Sequence, residues 1–269
     1  MSRVDSLINT AALEYVTFDL PSRGLPYQGK PSIVKVRPTV SREEKFLKSI
    51  ASTASNYEEK LAKYLMSITD LSEIGLPATN LTTGDQLSLL IFSRILAKDQ
   101  REYPKEVTCP DCGKDSIIKI DLLNLNRTYL SEDFVEPISV FLEKHGLTVF
   151  CRLLRVKDQV ALTEYHDQMR RVNLNDTIDP STDSEGLYAY TIEKMMKGEE
   201  EIELSYSEKR EFLQKVDSIS YNLIVGVQND YYHGYETKAP FECPYCAYKT
   251  TVSFDFGSDF FFGTASPKQ

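Results

Sequence analysis

The sequence predicts an α+β protein in which an N-terminal β arm and a helical layer precede a zinc ribbon split by a folded insert. Three observations favour this class. Runs with β-strand alternation and runs with helical spacing occupy separate stretches of the chain. Four of the five cysteines form two matching pairs inside β-rich segments, 130 residues apart. The length of 269 residues and a hydrophobic content of 41% suffice for one large domain or two modest ones.

The first segment, residues 1–40, is predicted to be a β arm. Apolar and polar residues alternate over 15–20 and again over 33–37. The intervening residues are rich in glycine and proline, which favour turns. We therefore expect two strands joined by a loop.

Residues 41–102 are predicted to be helical. Ser41 with Glu44, and Thr83 with Gln86, have the spacing of capping boxes at helix starts. Apolar residues surround the second of these predicted helices over 87–92, which indicates that it is buried on most sides.

The region 136–234 is predicted to be an insert with a β hairpin and helices of its own. Strands are expected over 138–142 and 147–153, since a glycine-containing turn separates two β-rich runs. Helices are expected over 157–171, 185–197 and 205–227. In the last of these, Phe212, Val216, Ile219, Leu223 and Val227 form a stripe that we expect to face a core.

The two cysteine pairs are the most informative feature of the chain. Cys109 and Cys112 lie in segment 103–135, and Cys243 and Cys246 lie in segment 235–269; both pairs read Cys-Pro-x-Cys. Each is followed at the same offset by a β-rich run, so each is expected at the tip of a hairpin. Two such turns facing each other supply the four thiolates of a tetrahedral site, and we expect all four cysteines to bind one structural zinc ion.

Two other interpretations of the cysteines remain open. A Cys-x-x-C pair can be a thiol–disulfide redox site, although such sites open a helix and neither pair here does so. The four thiols could also be unrelated and buried. Cys151 lies in an apolar strand and is interpreted as a small buried side chain rather than a ligand.

The sequence predicts no enzyme and no small-molecule substrate. His145, His166 and His233 form no metalloprotease pair and stand in no serine-nucleophile motif, and a phosphate-binding glycine loop is missing. A zinc ion with four thiolate ligands also keeps no open position for water or substrate.

Charge distribution argues against nucleic acid as a partner. The chain has a formal net charge of −9. Residues 101–121 carry four cations and five anions, and residues 235–256 carry two cations and three anions. This surface would repel phosphate. No apolar run is long enough to cross a bilayer and no signal peptide is recognised, so we expect no membrane contact and a cytosolic protein.

Aromatic residues cluster around the second cysteine pair. Tyr231, Tyr232 and Tyr235 precede it, and residues 254, 256 and 260–262 after it are all phenylalanine. A single hairpin cannot bury all eight rings, so the surplus predicts a surface that contacts other proteins.

Several features together resemble the base plate hub family of T4-like bacteriophages. They are the turn LPSRGLPY at 20–27, the strand end at 36–38, the helix at 85–96 and the paired Cys-Pro-x-Cys motifs. The resemblance implies a non-enzymatic structural or assembly protein of the contractile-tail base plate. It would bind other base plate and hub proteins in the host cytoplasm and could remain in the virion. The rival interpretation is a zinc-ribbon accessory factor in phage transcription or replication, and the oligomeric state stays open.

Overall fold

The computed structural model of the protein describes residues 14–28, 32–51, 57–72, 75–98, 102–172 and 179–254. The helices are α1 (Ser41–Ala51), α2 (Tyr57–Ile68), α3 (Thr83–Lys98), α4 (Val156–Val172), α5 (Ser184–Ala189), α6 (Tyr206–Lys215) and α7 (Ser218–Asp230). The strands are β1 (Val16–Asp19), β2 (Ile33–Val36), β3 (Thr69–Asp70), β4 (Glu102–Thr108), β5 (Asp115–Asp121), β6 (Arg127–Thr128), β7 (Ile138–Leu142), β8 (Leu147–Cys151), β9 (Ile192–Lys197), β10 (Glu200–Ile202), β11 (Gly234–Tyr235), β12 (Lys238–Glu242) and β13 (Lys249–Ser253). The predicted α+β class is confirmed.

The first hydrophobic core joins the beginning and the end of the chain. The three-stranded antiparallel sheet β1-β2-β3 packs with α1, α2 and α3. Phe18, Leu65 and Ile91 are among its buried side chains, and the paired β1 and β2 confirm the predicted N-terminal strands. Tyr103 and Phe254, from the two cysteine hairpins, lie in the same core. Both hairpins are therefore anchored to one body.

The second hydrophobic core is built from residues that lie between the two cysteine pairs in sequence. The antiparallel sheet has the order β10-β9-β8-β7, and α5, α6 and α7 cover one of its faces. Its buried side chains include Leu142, Val149, Met195, Leu213 and Ile224. The predicted hairpin of β7 and β8 is confirmed, with Leu142 paired to Leu147 at the turn.

The turn at 20–27 is fixed by a carboxylate of α3. Asp85 accepts hydrogen bonds from the backbone amide of Ser22 at 2.9 Å and from the hydroxyl of Tyr27 at 2.6 Å. Asp85 is fully buried, and burial followed by the charge of Asp85 raises the pKa of Tyr27 well above its usual value. The contact between this turn and Asp85 of α3 was not predicted from the sequence.

Two predicted helix starts are displaced by one residue. α1 begins after Val40, whose amide donates to the carboxylate of Glu43 rather than to Glu44. α3 begins after Thr82, whose hydroxyl accepts from the amide of Asp85. The sequence is ambiguous at both starts, because Glu43 and Glu44 are both acidic and Thr82 and Thr83 both carry hydroxyl groups.

The prediction of one helix over 185–197 is wrong. α5 ends at Ala189, and residues 192–197 form β9. β9 pairs with β8 on one side and β10 on the other, so tertiary pairing overrides the helical spacing.

The prediction of one continuous helix over 205–227 is also wrong. The capping box of Ser205 and Glu208 is confirmed at the start of α6, but α6 ends at Lys215. The side chain of Asp217 then caps α7 by accepting from the amide of Ser220. α7 buries Ile224 and Val227, whereas Ile219 and Leu223 of the predicted stripe are exposed. Because the chain forms two separate helices here, the side chains of α7 do not continue the face of α6, and a different set of apolar residues reaches the core.

Candidate metal centre

The four cysteines lie in the turns of two similar hairpins. β4 pairs with β5 around Cys109 and Cys112, and β12 pairs with β13 around Cys243 and Cys246. In each turn the amide of the first cysteine donates to the carbonyl five residues later. The amide four residues after that cysteine donates back to its carbonyl, and all four distances are 2.9 Å. The predicted likeness of the two turns is confirmed in backbone geometry.

The residue after each second cysteine adopts a left-handed conformation. Gly113 has φ of 68° and Ala247 has φ of 57°. This region favours glycine because a Cβ atom crowds the following carbonyl. The second turn holds the same conformation as the first even though alanine occupies the position.

The two turns bring the four sulfur atoms together. Cys109 Sγ lies 3.7 Å from Cys246 Sγ, and Cys112 Sγ lies 3.7 Å from Cys243 Sγ. All four sulfurs lie within 4.8 Å of one another. A tetrahedral zinc ion with Zn–S bonds of about 2.3 Å separates its sulfur ligands by about 3.8 Å. The donor set and its spacing therefore fit such an ion, and the site can hold a metal.

A small apolar layer supports the sulfurs. Cys109 and Cys243 are buried with Phe241, and Val107 and Val252 pack against them. The second cysteine of each pair is more accessible, since Cys112 is half-buried and Cys246 is exposed. In each hairpin the first cysteine is therefore held in the apolar layer, and the second lies closer to the protein surface.

Backbone amides donate to both sulfurs of the second cysteine pair. Burial opposes ionisation of Cys243, but the amides of Tyr245 and Cys246 donate to its sulfur and lower its pKa to about 7. The amide of Tyr248 likewise donates to Cys246, yet desolvation and the neighbouring sulfurs raise the pKa of Cys246 to about 12. A divalent cation bound at the cluster would favour the thiolate form of its ligands.

Cys151 lies apart from this cluster, as predicted. It is fully buried in β8 within the second core. Burial, with a smaller contribution from Glu193, raises the pKa of Cys151 to about 12. Among the residues described, the four clustered cysteines are the one group of three or more cysteine, histidine or carboxylate side chains close enough to share an ion.

Each of the three histidines contacts a side chain outside the cysteine cluster. His145 lies 3.0 Å from Asp217, His166 lies 2.8 Å from Asp183, and His233 lies 2.7 Å from the hydroxyl of Thr82. Arg210 also contacts the buried pair of His166 and Asp183, because its Nη2 atom lies 3.0 Å from Oδ2 of Asp183. These contacts join helices and loops to one another, and sequence spacing gave no signal for them.

The aromatic prediction is revised by burial. Tyr235 and Phe254 are buried in the first core, and Tyr231 packs edge-on against Phe134. Tyr232 is exposed. Residues 256 and 260–262 lie outside the described residues. At the second turn itself, Tyr245 and Tyr248 are also exposed, and neither was singled out in the sequence.

The two turns also meet through a charged contact. Lys114 Nζ lies 4.7 Å above the ring of Tyr245. This contact joins the residue after the first turn to the tip of the second. It places a cation beside sulfur ligands that would leave a bound divalent ion with excess negative charge.

Comparison with known families identifies the chain. None of the helices in the described ranges is long and apolar enough to cross a bilayer. Searches among curated proteins and among solved structures gave no significant match. A family model described as T4 bacteriophage base plate protein matches residues 14–262, nearly the whole chain. This span includes the turn at 20–27 and both cysteine turns, so the chain belongs to the T4 bacteriophage base plate protein family.

Proposed function

We propose that this base plate protein uses Cys109, Cys112, Cys243 and Cys246 to bind one structural zinc ion. The observation that carries the proposal is the approach of four sulfurs from two distant segments to within 4.8 Å. Thiolate sulfur is a preferred zinc ligand, and four of them complete a tetrahedral site. The ion would join the early and late hairpins of the chain.

The proposed zinc has a structural role. Four protein ligands keep no position for a substrate, and Cys109 and Cys243 are buried against Phe241. A structural zinc site contributes on the order of 10 kcal/mol of apparent binding free energy at neutral pH. Such a contribution is comparable with the net stability of a whole domain.

Metal analysis and serine substitutions test the ligand set. Purified protein is expected to contain one zinc ion per chain, as measured by inductively coupled plasma mass spectrometry. Cys109→Ser and Cys243→Ser should each lose the metal and several kcal/mol of unfolding free energy. Cys151→Ser is the matched control because it also replaces a buried cysteine. It should retain the metal and show only the smaller cost of a buried polar group. Equal metal loss in all three variants would reject the ligand assignment.

We further propose that the protein is a non-enzymatic hub component or assembly factor that binds other tail proteins of the same phage. Membership of the base plate family supports this role. The acidic net charge of −9 supports protein rather than nucleic acid partners. The protein would bind its partners in the host cytoplasm during assembly and enter the tail base plate of the virion.

Binding to purified partners tests this role. The full chain, loaded with zinc, is mixed with each base plate protein of the same phage and examined by analytical ultracentrifugation. A stable complex with at least one of them is expected. Absence of every complex, together with salt-dependent binding to DNA or RNA, would instead support the rival accessory factor in transcription or replication.

A further inference from the structure

We propose that the free edge of β7 and the adjacent side of α7 form a docking site for an extended, uncharged segment of another base plate protein. The segment would add a strand to the sheet β10-β9-β8-β7. This inference rests on the proposed function, because it specifies how the protein binds a tail partner. We call this surface the β7 edge; it consists of β7 with Ile219 and Leu223 of α7.

Within the described part of the chain, β7 pairs with β8 and with no strand on its other side. The strand reads Ile-Ser-Val-Phe-Leu, without a charge or proline, and the one register shift in the sheet lies between β8 and β9. Edge strands are normally protected against further pairing by charges, prolines, bulges or short length. The opposite edge has such protection, because β10 spans three residues and includes Glu200 and Glu201.

α7 extends its apolar surface beyond the sheet. Ile219 is 60% exposed and Leu223 is 49% exposed. Tyr221 follows Ile219 by two residues, or about 200° of helical rotation, so the two side chains leave opposite sides of the helix. The hydroxyl of Tyr221 bonds to Ser184 of α5, which leads into β9. Ile219 and Leu223 therefore lie on the side of α7 that faces away from Ser184 of α5.

The helix and the edge strand are held next to each other. α7 packs against β7 and β8. Its capping residue Asp217 lies 2.9 Å from Lys144 and 3.0 Å from His145, both in the turn that follows β7. A strand added to β7 would place alternate side chains over α7, where Ile219 and Leu223 have no cover. Its other side chains would lie beside Phe141, which is 59% exposed on the opposite face.

Charge indicates the chemistry of the partner. Residues 218–229 of α7 carry no charge, and neither does β7. A strand with apolar side chains at alternate positions fits this surface, whereas a charged one would lose solvation there. A second copy of the chain is disfavoured, because each copy has a formal charge of −9.

Hydrogen exchange with lysine variants tests the inference. The zinc-loaded chain is mixed with the individually purified base plate proteins of the same phage. With a bound partner, the amides within 138–142 that do not donate to β8 should become protected. Ile219→Lys and Phe141→Lys should weaken that complex by about tenfold or more. Ile117→Lys is the matched control, because Ile117 is 63% exposed on the hairpin of the first cysteine pair. It should bind within about twofold of the wild-type chain, as neutral contact positions do.

The remaining outcomes overturn the inference in distinguishable ways. A complex that forms without protection of 138–142, or that tolerates Ile219→Lys as well as Ile117→Lys, rejects the β7 edge but leaves the proposed function intact. Protection that appears in the isolated chain with rising concentration identifies a second copy as the occupant. Protection already complete in the dilute chain, and lost when residues 1–13 or 255–269 are removed, identifies a segment of this chain. Absence of any complex rejects the proposed function itself.

Discussion

Ala247 holds a left-handed backbone conformation, with φ of 57°, that Gly113 holds in the matching turn. A non-glycine residue there costs about 1–2 kcal/mol of conformational free energy. Ala247→Gly should therefore raise the unfolding free energy by about 1 kcal/mol, after allowance for the greater freedom of glycine in the unfolded chain. Urea denaturation of the metal-loaded protein measures the change.

The reverse substitution in the twin turn is the control. A Cβ atom on Gly113 would meet no atom within 4 Å. Gly113→Ala therefore measures the conformational cost of the left-handed backbone without any steric clash. It should lower stability by about as much as Ala247→Gly raises it. Changes of the same sign in both variants would contradict the conformational explanation.

Gly84 permits a close approach between α3 and the chain before β11. A Cβ atom there would lie 2.2 Å from the backbone oxygen of His233, which cannot move as a flexible side chain would. We expect Gly84→Ala to reduce the unfolding free energy by about 1–3 kcal/mol. Gly226→Ala in α7 is the control, because its added Cβ would meet nothing within 4 Å and alanine favours a helix. Thermal unfolding that shows equal losses in both variants would reject the packing argument.

At the scale of elements, Asp217 joins α7 to the β7–β8 hairpin. Its carboxylate accepts from Ser220 and contacts Lys144 and His145, and these partners hold the pKa of Asp217 far below its usual range. The folded state thus favours the ionised carboxylate. The resulting stabilisation is complete above about pH 4, the pKa of an unfolded aspartate, and is lost as pH falls through the lower folded-state value.

The variant Asp217→Asn should be less stable than the wild-type chain at pH 7, and the difference should shrink progressively as the pH falls below about 4. Urea titrations at several pH values measure the difference. Asp230→Asn serves as the comparison, because Asp230 stands at the carboxyl end of the same helix, where a negative charge is unfavourable. It should show no loss at pH 7. A deficit of Asp217→Asn that is constant with pH would contradict the ionic explanation.

The elements that the sequence predicts correctly are those specified by local pattern. The strands of the N-terminal arm, the β7–β8 hairpin and the two cysteine turns follow from alternation and turn residues. The helix predicted over 185–197 failed because residues 192–197 pair with β8, which is distant in sequence, and with β10, which follows directly as a hairpin partner. The break at Asp217 was hidden because apolar spacing continues across it, while a single capping side chain changes the phase.

The candidate site was predictable in composition, since two matching Cys-Pro-x-Cys motifs indicate a four-sulfur cluster. The side chains around it were not. Tyr245 and Lys114 meet only after two segments 130 residues apart have folded together. Likewise, Asp85 was interpreted as part of a helix, and its bonds to Ser22 and Tyr27 depend on the tertiary position of the N-terminal turn.

At the scale of the whole molecule, early and late segments of the chain pack together in the first core. Both cysteine hairpins are anchored there, whereas the second core takes its residues from the sequence between them. The assignment of 136–234 as a folded insert stays a prediction. If that unit folds with its ends close together, it already holds the two hairpins near each other. The metal would then need only to fix their relative positions.

If the protein binds zinc as proposed, removal of the ion should destabilise the two cysteine hairpins before it destabilises the second core. After treatment with a zinc chelator, amides of β4, β5, β12 and β13 are expected to exchange faster. Amides of β8 and β9 should retain their protection, because the second core contains none of the four clustered cysteines. Hydrogen exchange with mass spectrometry measures both sets in one experiment, and Cys151→Ser provides the control for loss of a thiol without loss of metal. Simultaneous exposure of β8 and β9 with the hairpins would show that the molecule unfolds as one unit, and that the insert does not hold its structure independently of the metal.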